Sequence, residues 1–420
     1  MPAPPTVSLV LTFEQARRVV EDHASKLAPK EIETVPLLHA ARRVLAESIT
    51  ADRDIPPFAR STRDGYAVRA ADLATLPAKL RVIGEIKAGP LPTKIPSTVN
   101  PGATFSIMTG APVPQGADAV VMVEYTSAHR DSVEIARSVA SGENIVPQGA
   151  EARRGTLVLD RGTRLDQAAI ALAASVGKSR LNVFTRPPVA ILTTGDEIVE
   201  VDAKLDDPAG AAQIRNSNSY SLAVQVQEAG GEPTLLPIAP DEPRRLRQLI
   251  ELGLQSDLLI MTGGVSMGRY DFVEQVLSEL QAEFFFTGAK IQPGRPVVFG
   301  RVPAPGQSHK YFFGLPGNPV STMVTFEIFG RPMLEALAGA SPRPLQFLHA
   351  HLKSDIRVKP GLTRFLPATL SGEYENSQAE LVPWQGSGDI ASRARANCYI
   401  VIPPDREHIL AGEWIAIMLR

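Results

Sequence analysis

The stretch SDLLIMTGGVSMGRYD, residues Ser256–Asp271, decides the fold expected for the central part of the chain. Leu258–Met261 is an apolar run of strand length, and it ends in the dipeptide Gly263–Gly264 after one threonine. From Phe272 onward the apolar residues recur with helical spacing. A buried strand that passes through a glycine-rich turn into a helix is typical of α/β folds, so the sequence predicts that architecture here.

The turn itself has the composition of an anion site. Glycines let backbone N–H groups approach a phosphate, and a helix N-terminus supplies partial positive charge. Ser266 adds a hydroxyl beside Gly268, and Asp271 adds a carboxylate suited to a divalent cation. The alternative interpretation is a tight strand-to-helix connection without a ligand. The clustering of these polar groups on one turn favours a binding site.

Composition describes a globular protein rather than a nucleic-acid binder. The chain has 420 residues, enough for about three domains. It is 44% hydrophobic and 21% charged, with a net charge of −2, whereas general nucleic-acid binders are strongly basic. The single cysteine, Cys398, excludes disulfides within the chain and cysteine-based zinc sites. It lies in an apolar run, which predicts a buried structural thiol.

The sequence carries no targeting or membrane signal that we recognise. The N-terminus lacks a basic segment followed by a long apolar core, so it does not resemble a signal peptide. No apolar run approaches the roughly 20 residues needed to span a bilayer. We therefore expect a cytoplasmic protein with no membrane partner.

In the first half of the chain, segments with a helical pattern of apolar residues alternate with short β-type runs. A helix is predicted over Thr12–Ala28, opened by a capping box of Thr12 and Gln15, and a second over Leu37–Leu45. Short β-type runs follow, and Asp166–Gly177 returns to helix. We expect that helix to pack back on the first helices, which would make the β segment an insertion.

The second half predicts a parallel sheet covered by helices on both faces. From Val189 strands and helices alternate, and four strand ends carry polar loops with ligand-binding potential. Those loops are Thr194–Glu197, Pro240–Asp241, Thr262–Asp271 and Leu315–Pro319. Beyond about residue 342 the alternation predicts a further β domain. The predicted fold class is thus α/β and β multidomain: a central doubly wound, mostly parallel α/β domain with a discontinuous helical domain and two small β domains.

The predicted domain boundaries follow these changes in texture. They are a discontinuous helical domain at 7–51 and 144–181, an inserted β domain at 52–143, an α/β domain at 182–332 and a C-terminal β domain at 333–420.

An ordered set of motifs resembles the molybdopterin molybdenumtransferase family, whose members include the bacterial MoeA proteins and the E domains of gephyrin and of its plant counterpart. The motifs cover nearly the whole chain in the family's order. They are Asp64–Ala67, Thr109–Pro114, Thr193–Glu197, Asn216–Ser217, Thr262–Asp271, Pro293–Pro296, Leu315–Ser321, Arg364 and Gly386–Gly388.

The resemblance implies a reaction and an assembly. Adenylylated molybdopterin and molybdate would react to give molybdenum cofactor and AMP, with a divalent cation, usually Mg²⁺. The subunits would form an elongated homodimer in which the β domain of one subunit faces the α/β domain of its partner, so that the active site is shared. Molybdopterin adenylyltransferase is a candidate protein partner, and no nucleic acid is implied.

The resemblance also assigns roles to residues of this sequence. The implied catalytic residues are Asp64, Thr109, Glu197, Asp241 and Asp271, of which Glu197, Asp241 and Asp271 would hold the metal. The pterin nucleotide would contact Thr194, Gly195, Asp196, Asn216, Ser217, Gly263, Gly264, Ser266, Gly268, Pro316, Gly317, Asn318 and Pro319. Molybdate would contact Gln292, Arg295, Pro296, Arg364 and Ser387.

Three motifs depart from the family's pattern. Arg63 stands where methionine is frequent, and Gln292 and Arg295 replace two lysines that are common in the molybdate motif. Gly149–Glu151 also differs from a common Gly-Glu-Asp, so Glu151 is carried over only weakly. Two other functions are compatible with parts of the sequence. One is molybdopterin adenylyltransferase, which resembles only the central α/β domain, and the other is a non-enzymatic scaffold.

Overall fold

A computed structural model describes residues 9–29, 31–89, 98–205, 212–263, 272–304, 309–373 and 375–419. The N-terminal segment begins with a short strand and a helix. Its elements are β1 (Val10–Leu11), α1 (Phe13–Ala24), β2 (Ile32–Pro36) and β3 (Ile49–Thr50). The predicted capping box is present, because Thr12 Oγ1 accepts from the Gln15 backbone N–H at 3.2 Å and Gln15 Oε1 accepts from the Thr12 backbone N–H at 3.0 Å.

The second predicted helix, Leu37–Leu45, is wrong. Ile32–Pro36 is extended, and Leu37–Ala40 forms a single 3₁₀ turn after it. The extended segment pairs antiparallel with Arg180–Phe184 more than a hundred residues later. That long-range pairing overrides the local helical pattern, as tertiary context often does.

An antiparallel-rich sheet occupies the predicted insertion. Its strands are β4 (Arg60–Ser61), β5 (Gly65–Val68), β6 (Ala78–Ile86), β7 (Ala103–Ile107), β8 (Ala119–Met122), β9 (Thr126–Ala128), β10 (Ser132–Ile135) and β11 (Ile145–Val146). Six of them form one sheet in the order β8-β5-β7-β6-β10-β9, with β6 and β7 parallel.

The chain then returns to the segment it left. β12 (Leu157–Leu159) pairs with β3, and β13 (Arg180–Phe184) pairs with β2. Between them α2 (Gln167–Ser175) begins at Asp166, whose side chain accepts from the Ala169 backbone N–H at 2.8 Å. The segments on either side of the insertion therefore share one small core, although α1 lies elsewhere.

The central region has the predicted alternation of strands and helices. Its elements are β14 (Pro188–Thr193), β15 (Ile198–Val199), β16 (Ile214–Arg215), α3 (Asn218–Ala229), β17 (Glu232–Leu235), α4 (Pro243–Gly253), β18 (Leu258–Thr262), α5 (Phe272–Glu279), β19 (Glu283–Phe286), β20 (Gly288–Ala289), β21 (Ile291–Gln292), β22 (Val298–Pro303), β23 (His309–Leu315), α6 (Pro319–Thr325), a π-helical turn (Phe326–Gly330) and α7 (Arg331–Leu337).

Six strands build the central sheet in the order β17-β14-β18-β23-β22-β19. The first four are parallel, and β22 and β19 run antiparallel at one edge. On β18, Leu258 and Ile260 join the core on one face, and Leu259 and Met261 join the core on the other. Helices cover both faces because alternate residues of a strand point to opposite sides. The doubly wound α/β prediction is confirmed.

α1 packs on this central core rather than on α2. Its buried residues Phe13, Ala16 and Val20 belong to the same cluster as Leu258 and Ile260. The Phe13 ring also meets Phe365 of the C-terminal region edge-on, with ring centroids 5.2 Å apart. The 166–177 helix was expected to pack on both first helical segments: this is wrong for α1, whose apolar face is buried by the central sheet, whereas α2 does share a core with Ala40 and Leu45 of the second segment.

The C-terminal region closes into a barrel. Its elements are β24 (Leu348–Leu352), β25 (Ile356–Arg357), β26 (Thr363–Ser371), β27 (Gln378–Leu381), α8 (Ile390–Arg395), β28 (Cys398–Ile402), β29 (His408–Ile409) and β30 (Trp414–Leu419). The strands β26-β27-β24-β30-β28 pair in that order, and β28 pairs back with β26. Closure removes the exposed sheet edges. The predicted second β domain is thus a five-stranded barrel.

The one cysteine has the predicted structural role. Cys398 is fully buried within the barrel, and burial raises the pKa of its thiol to about 11. A thiol that holds its proton so firmly is not poised for nucleophilic chemistry. Within the described ranges, no helix is long and apolar enough to cross a membrane.

Candidate functional site

Three parallel strands of the central sheet end at the same level. Thr193 of β14 pairs with Thr262 of β18, and Thr262 pairs with Leu315 of β23. The next residue, Thr194, donates its backbone N–H to the Thr262 carbonyl at 3.0 Å and bridges to Ala239. The loops that follow these strands are therefore neighbours, as the polar strand ends predicted.

Glycines allow these loops to approach closely. Gly263 has a φ of +87°, and a Cβ at this position would lie 2.4 Å from the Thr194 carbonyl oxygen. Gly317 lies against it, since a Cβ on Gly317 would be 3.5 Å from the Gly263 Cα. Only glycine combines this conformation with this contact at low cost. The backbones of two strand ends thus meet where a ligand would bind.

A buried amide ties two of the strand ends together. Asn218 Nδ2 donates to Thr262 Oγ1 at 3.0 Å and to the Gly317 carbonyl at 2.7 Å. Thr262 Oγ1 in turn donates to the Pro316 carbonyl at 3.1 Å. The first turn of α3 therefore positions the loops after β18 and β23.

A second network lies beside the first. Thr193 Oγ1 is 2.7 Å from Ser219 Oγ, and Asn216 Oδ1 accepts from the Ser219 backbone N–H at 3.1 Å. The Asn216 side chain therefore caps a backbone N–H in the first turn of α3. Ser217 occupies the cap by backbone geometry and makes no side-chain cap hydrogen bond.

Two buried polar atoms of this site have no hydrogen-bond partner among the described residues. Asn218 Oδ1 and Thr194 Oγ1 are buried, and neither has a hydrogen-bond partner among the residues that the structure describes. A buried polar atom without a partner is costly unless a ligand or water satisfies it. The sequence motifs did not predict a role for Asn218. The available signal was its position at the start of α3, two residues after Asn216.

Three carboxylates crowd one corner of the strand edge. Asp196 Oδ1 accepts from the Asp241 backbone N–H at 3.0 Å, and the Glu197 carboxylate folds over Gly195, where a Cβ would be 2.6 Å from Glu197 Oε2. Removal of water around Asp241, with the charges of Asp196 and Glu197, raises the pKa of its carboxyl above the usual range. Negative charge at this corner is thus incompletely compensated.

The metal site proposed from the resemblance is only partly visible. Among the described side chains, no group of three or more His, Cys, Asp or Glu residues is arranged to hold a metal ion. Asp271, the third implied ligand, lies outside the described residues, as do Gly264, Ser266 and Gly268. Their predicted roles therefore stay predictions.

The inserted sheet brings together its own pair of predicted residues. Asp64 Oδ1 accepts from the Thr109 backbone N–H at 2.6 Å and from Thr109 Oγ1 at 2.8 Å. These hydrogen bonds, the backbone one foremost, lower the pKa of the Asp64 carboxyl. The pair forms one preorganised anionic group on an exposed turn.

The residues implied for molybdate lie where the barrel meets the central region. β21 pairs in parallel with β26, so that Gln292 is opposite Arg364. Arg364 Nε donates to Gln292 Oε1 at 2.8 Å, and Nη1 donates to the Leu362 carbonyl at 3.2 Å. Arg364 is only 6% exposed, and burial lowers its pKa from the ordinary arginine value. Gln292, which stands where the resembled motif commonly has a lysine, thus accepts a hydrogen bond that holds Arg364 in position.

The start of α6 contacts both sides of this junction. The Val320 backbone N–H donates to the Ser387 carbonyl at 3.0 Å, and a Cβ on Gly294 would lie 2.4 Å from the Thr325 side chain. The loops that carry Ser387 and Gly294 therefore flank α6, whose first residue is Pro319. Arg295 contributes its backbone carbonyl, which accepts from the Ala289 N–H at 3.0 Å. No hydrogen bond or ion pair of the Arg295 side chain involves another described residue.

Comparison with known proteins identifies the family. The chain is 33% identical over 399 residues to the molybdopterin molybdenumtransferase of Bacillus subtilis, a match that covers 93% of this chain and 90% of the relative. The chain belongs to the molybdopterin molybdenumtransferase family. It is similarly 32% identical over 413 residues to the molybdopterin molybdenumtransferase of Synechococcus elongatus, covering 96% of this chain and 98% of that one.

Family models and a solved structure agree with this membership. Residues 11–177 match the MoeA N-terminal region (domains I and II), residues 190–336 match a probable molybdopterin binding domain, and residues 349–419 match the MoeA C-terminal region (domain IV). The crystal structure of a molybdopterin biosynthesis MoeA protein from Pyrococcus horikoshii covers 98% of this chain and all of its own, with a TM-score of 0.78 at 30% identity. The resemblance read from the motifs is confirmed, and so is the expectation of an enzyme.

The predicted site residues that the structure describes form three groups. The strand edge collects Thr194, Gly195, Asn216, Gly263 and Gly317, with Asp196, Glu197 and Asp241 at one corner. The barrel junction collects Gln292 and Arg364. Asp64 and Thr109 lie together in the inserted sheet.

Proposed function

We propose that this chain inserts molybdenum into adenylylated molybdopterin. Molybdate and adenylylated molybdopterin are consumed, and molybdenum cofactor and AMP are released. The observation that carries the proposal is the edge of the central sheet, where Gly263 and Gly317 lie close together near two buried polar atoms that have no partner among the described residues. The similarity to named molybdopterin molybdenumtransferases over nearly their full length supports the same reaction.

The strand edge is the part suited to the pterin nucleotide. Asn218 Oδ1 and Thr194 Oγ1 can accept hydrogen bonds from the N–H and O–H groups of such a ligand. Glycines at positions 263 and 317 carry no side chain that would keep phosphate oxygens away from the main chain, and main-chain N–H groups suit such oxygens. We assign this edge the task of binding and orienting the adenylylated substrate.

The barrel junction is the part suited to molybdate. Arg364 is held by Gln292 and by the Leu362 carbonyl, while its Nη2 has no hydrogen-bond partner within the described part of the chain. A fixed guanidinium with free donors binds a tetrahedral oxyanion through charge-assisted hydrogen bonds. We assign Arg364 this contact, with Gln292 positioning it and with Arg295, Pro296 and Ser387 as neighbours.

A divalent cation suits the acidic corner of the strand edge. The raised pKa of Asp241 reflects burial and repulsion from Asp196 and Glu197, which a cation would relieve. Carboxylate oxygens are the ligands that Mg²⁺ prefers. We propose that Glu197 and Asp241, with Asp271, hold Mg²⁺, which would neutralise charge when the phosphoanhydride breaks.

We further propose a homodimer in the cytoplasm whose active site combines two subunits. The support is the separation of predicted groups between regions: Asp64 and Thr109 lie in the inserted sheet, and the glycine loops lie at the edge of another. An interaction with molybdopterin adenylyltransferase, which would supply the adenylylated substrate, stays a prediction.

One assay tests the function against its two competitors. Purified chain is incubated with adenylylated molybdopterin, with and without molybdate, and AMP release is measured. We expect AMP release that depends on molybdate and on a divalent cation. An adenylyltransferase would instead form adenylylated molybdopterin from molybdopterin and ATP, and a scaffold would release no AMP in either case. Release of AMP that is indifferent to molybdate would refute the proposal.

A further inference from the structure

A cavity of about 610 Å³ lies away from the candidate site, where several parts of the chain meet. Its described lining comes from α1, from the loop after the first 3₁₀ turn, from the helices α3 and α7, and from the segment that enters and closes the barrel. None of these lining residues belongs to the candidate active site. The cavity therefore needs an explanation of its own.

The described lining carries an excess of positive charge. Five arginines line it: Arg17, Arg42, Arg164, Arg331 and Arg343. Three glutamates line it: Glu228, Glu327 and Glu335. Arg17 is paired with Glu21 of its own helix, so four arginines share three glutamates and one positive charge is left without a carboxylate.

One buried carboxylate serves three of the arginines. Glu335, 8% exposed, accepts two hydrogen bonds from Arg343, at 2.6 and 3.1 Å. It also lies 3.6 Å from Arg164 and 3.8 Å from Arg331. Glu327 accepts two hydrogen bonds from Arg331, at 2.6 and 3.0 Å. The two buried carboxylates are thus fully engaged.

The uncompensated positive charge of the cavity acts on Arg164. Burial lowers the pKa of its guanidinium, the charge of Glu335 opposes this effect, and the charges of Arg343 and Arg331 lower the pKa further. Its hydrogen bonds go to the Ala229 carbonyl, at 3.0 Å, and to the Arg42 carbonyl, at 3.5 Å. Arg164 is half-buried and shares Glu335 with two other arginines, so an anion in the cavity would relieve the repulsion among them.

Arg42 offers an uncommitted side chain at the same place. It lines the cavity, and no hydrogen bond or ion pair joins its guanidinium to any described residue. Arg42 is exposed, so water solvates its guanidinium when the cavity is empty and the side chain is free to meet a ligand. A guanidinium at this position is useful when a ligand supplies the counter-charge.

We propose that this cavity binds a compact polyanion with two or more anionic oxygen groups, of the diphosphate or tricarboxylate type. Arginine forks recognise such groups by paired hydrogen bonds. Binding would join the N-terminal segment, the central helices and the barrel through one ligand. The proposal concerns a site separate from the proposed reaction and does not depend on it.

The test is calorimetric titration of the full chain with inorganic pyrophosphate and, separately, with citrate at low ionic strength. We expect saturable binding of at least one of them. Arg42→Gln should weaken that binding about tenfold or more, since a charge-assisted hydrogen bond is lost. The matched control is Arg130→Gln, an exposed arginine of the inserted sheet that should leave the affinity unchanged.

A second variant separates this cavity from the active site, which could itself take pyrophosphate. Glu228 is largely exposed and lies 4.0 Å from Arg331, so Glu228→Gln should fold normally and should tighten binding by removing a repelling charge. If neither pyrophosphate nor citrate binds, the proposal is overturned. Binding that ignores both Arg42→Gln and Glu228→Gln overturns it too, because the anion would then occupy another site.

Discussion

Asp241 is the residue at which the electrostatics of the strand edge can be measured most directly. Its carboxyl has a raised pKa because water is partly removed and because Asp196 and Glu197 lie nearby. The folded chain therefore binds a proton here more tightly than the unfolded chain does. The stability linked to this proton is fully present below the ordinary aspartate pKa and is lost as pH rises through the raised folded value.

We expect Asp241→Asn to stabilise the metal-free protein near neutral pH, because it removes a repelled charge. The gain should be below about 1 kcal/mol, since the residue is exposed and solvent screens the repulsion. It should vanish at about pH 3, where aspartates are protonated. Urea unfolding at the two pH values, with a chelator present, measures the difference. Asp131→Asn, on an exposed turn of the inserted sheet, is the control. A variant less stable than the parent near neutral pH would contradict the sign.

Arg364 is the residue at which the proposed molybdate contact can be tested. Arg364→Ala should raise the molybdate concentration needed for half-maximal AMP release about tenfold or more, because a charge-assisted hydrogen bond is worth about 1.5–3 kcal/mol. Binding of the adenylylated pterin should change less. Arg364→Lys keeps the charge but lacks the paired donors, so its molybdate concentration for half-maximal AMP release should lie between those of the parent and of Arg364→Ala.

Arg357→Ala removes an exposed arginine from the same barrel and serves as the matched control for Arg364→Ala. If added molybdate does not rescue Arg364→Ala, the assignment of this residue to molybdate fails.

At the scale of elements, the end of β18 determines how the site is assembled. The strand is apolar throughout because both of its faces are buried, and its last residue, Thr262, turns its hydroxyl into the Asn218 network. Gly263 then has a φ of +87°, and a Cβ on it would lie 2.4 Å from the Thr194 carbonyl oxygen. The close approach between the end of β18 and Thr194 therefore requires a residue without a Cβ at position 263.

We expect Gly263→Ala to destabilise the fold more than Gly102→Ala does, by about 1–3 kcal/mol. Both glycines have positive φ, +87° and +74°, so both variants pay for the left-handed conformation. Only at Gly263 would the new Cβ meet a backbone atom, since that of Gly102 would have nothing within 4 Å. Chemical unfolding of the two variants measures the difference. Equal losses would mean that the close approach to Thr194 costs nothing.

At the scale of the whole molecule, the open question is how Asp64 and Thr109 reach the strand edge. They form a hydrogen-bonded pair in the inserted sheet, whereas the glycine loops belong to the central sheet. The proposed homodimer answers this by placing the inserted sheet of one subunit against the central sheet of its partner. A two-fold dimer makes such an exchange reciprocal.

Mixed dimers test this arrangement. Inactive Asp64→Ala chains and inactive Asp271→Ala chains, when exchanged, should form heterodimers with one intact site and one doubly damaged site. About half of the dimers take this form, so activity should return to roughly a quarter of the parent value. Native mass spectrometry of differently tagged chains must first show the exchange. Heterodimers without activity would mean that each site is built within a single chain.

Much of the architecture could be predicted because it is encoded locally. The apolar run of Leu258–Met261, the capping box at Thr12 and the polar residues after successive strands are patterns of a few neighbouring positions. They predicted the α/β sheet, the start of α1 and the convergence of the loops. The Leu37–Leu45 helix failed because strand pairing with Arg180–Phe184 cannot be read from those positions.

The periodicities, the caps and the motif order can all be read from the chain, and they indicate the fold class and the family. Only the tertiary structure decided which surfaces meet. It placed α1 on the central core, closed the barrel, set Gln292 beside Arg364 and made Asn218 a buried link between strand ends. It also raised the pKa of Asp241. Local patterns depend on a few consecutive residues, whereas contacts and electrostatics depend on residues brought together from distant parts of the chain by packing.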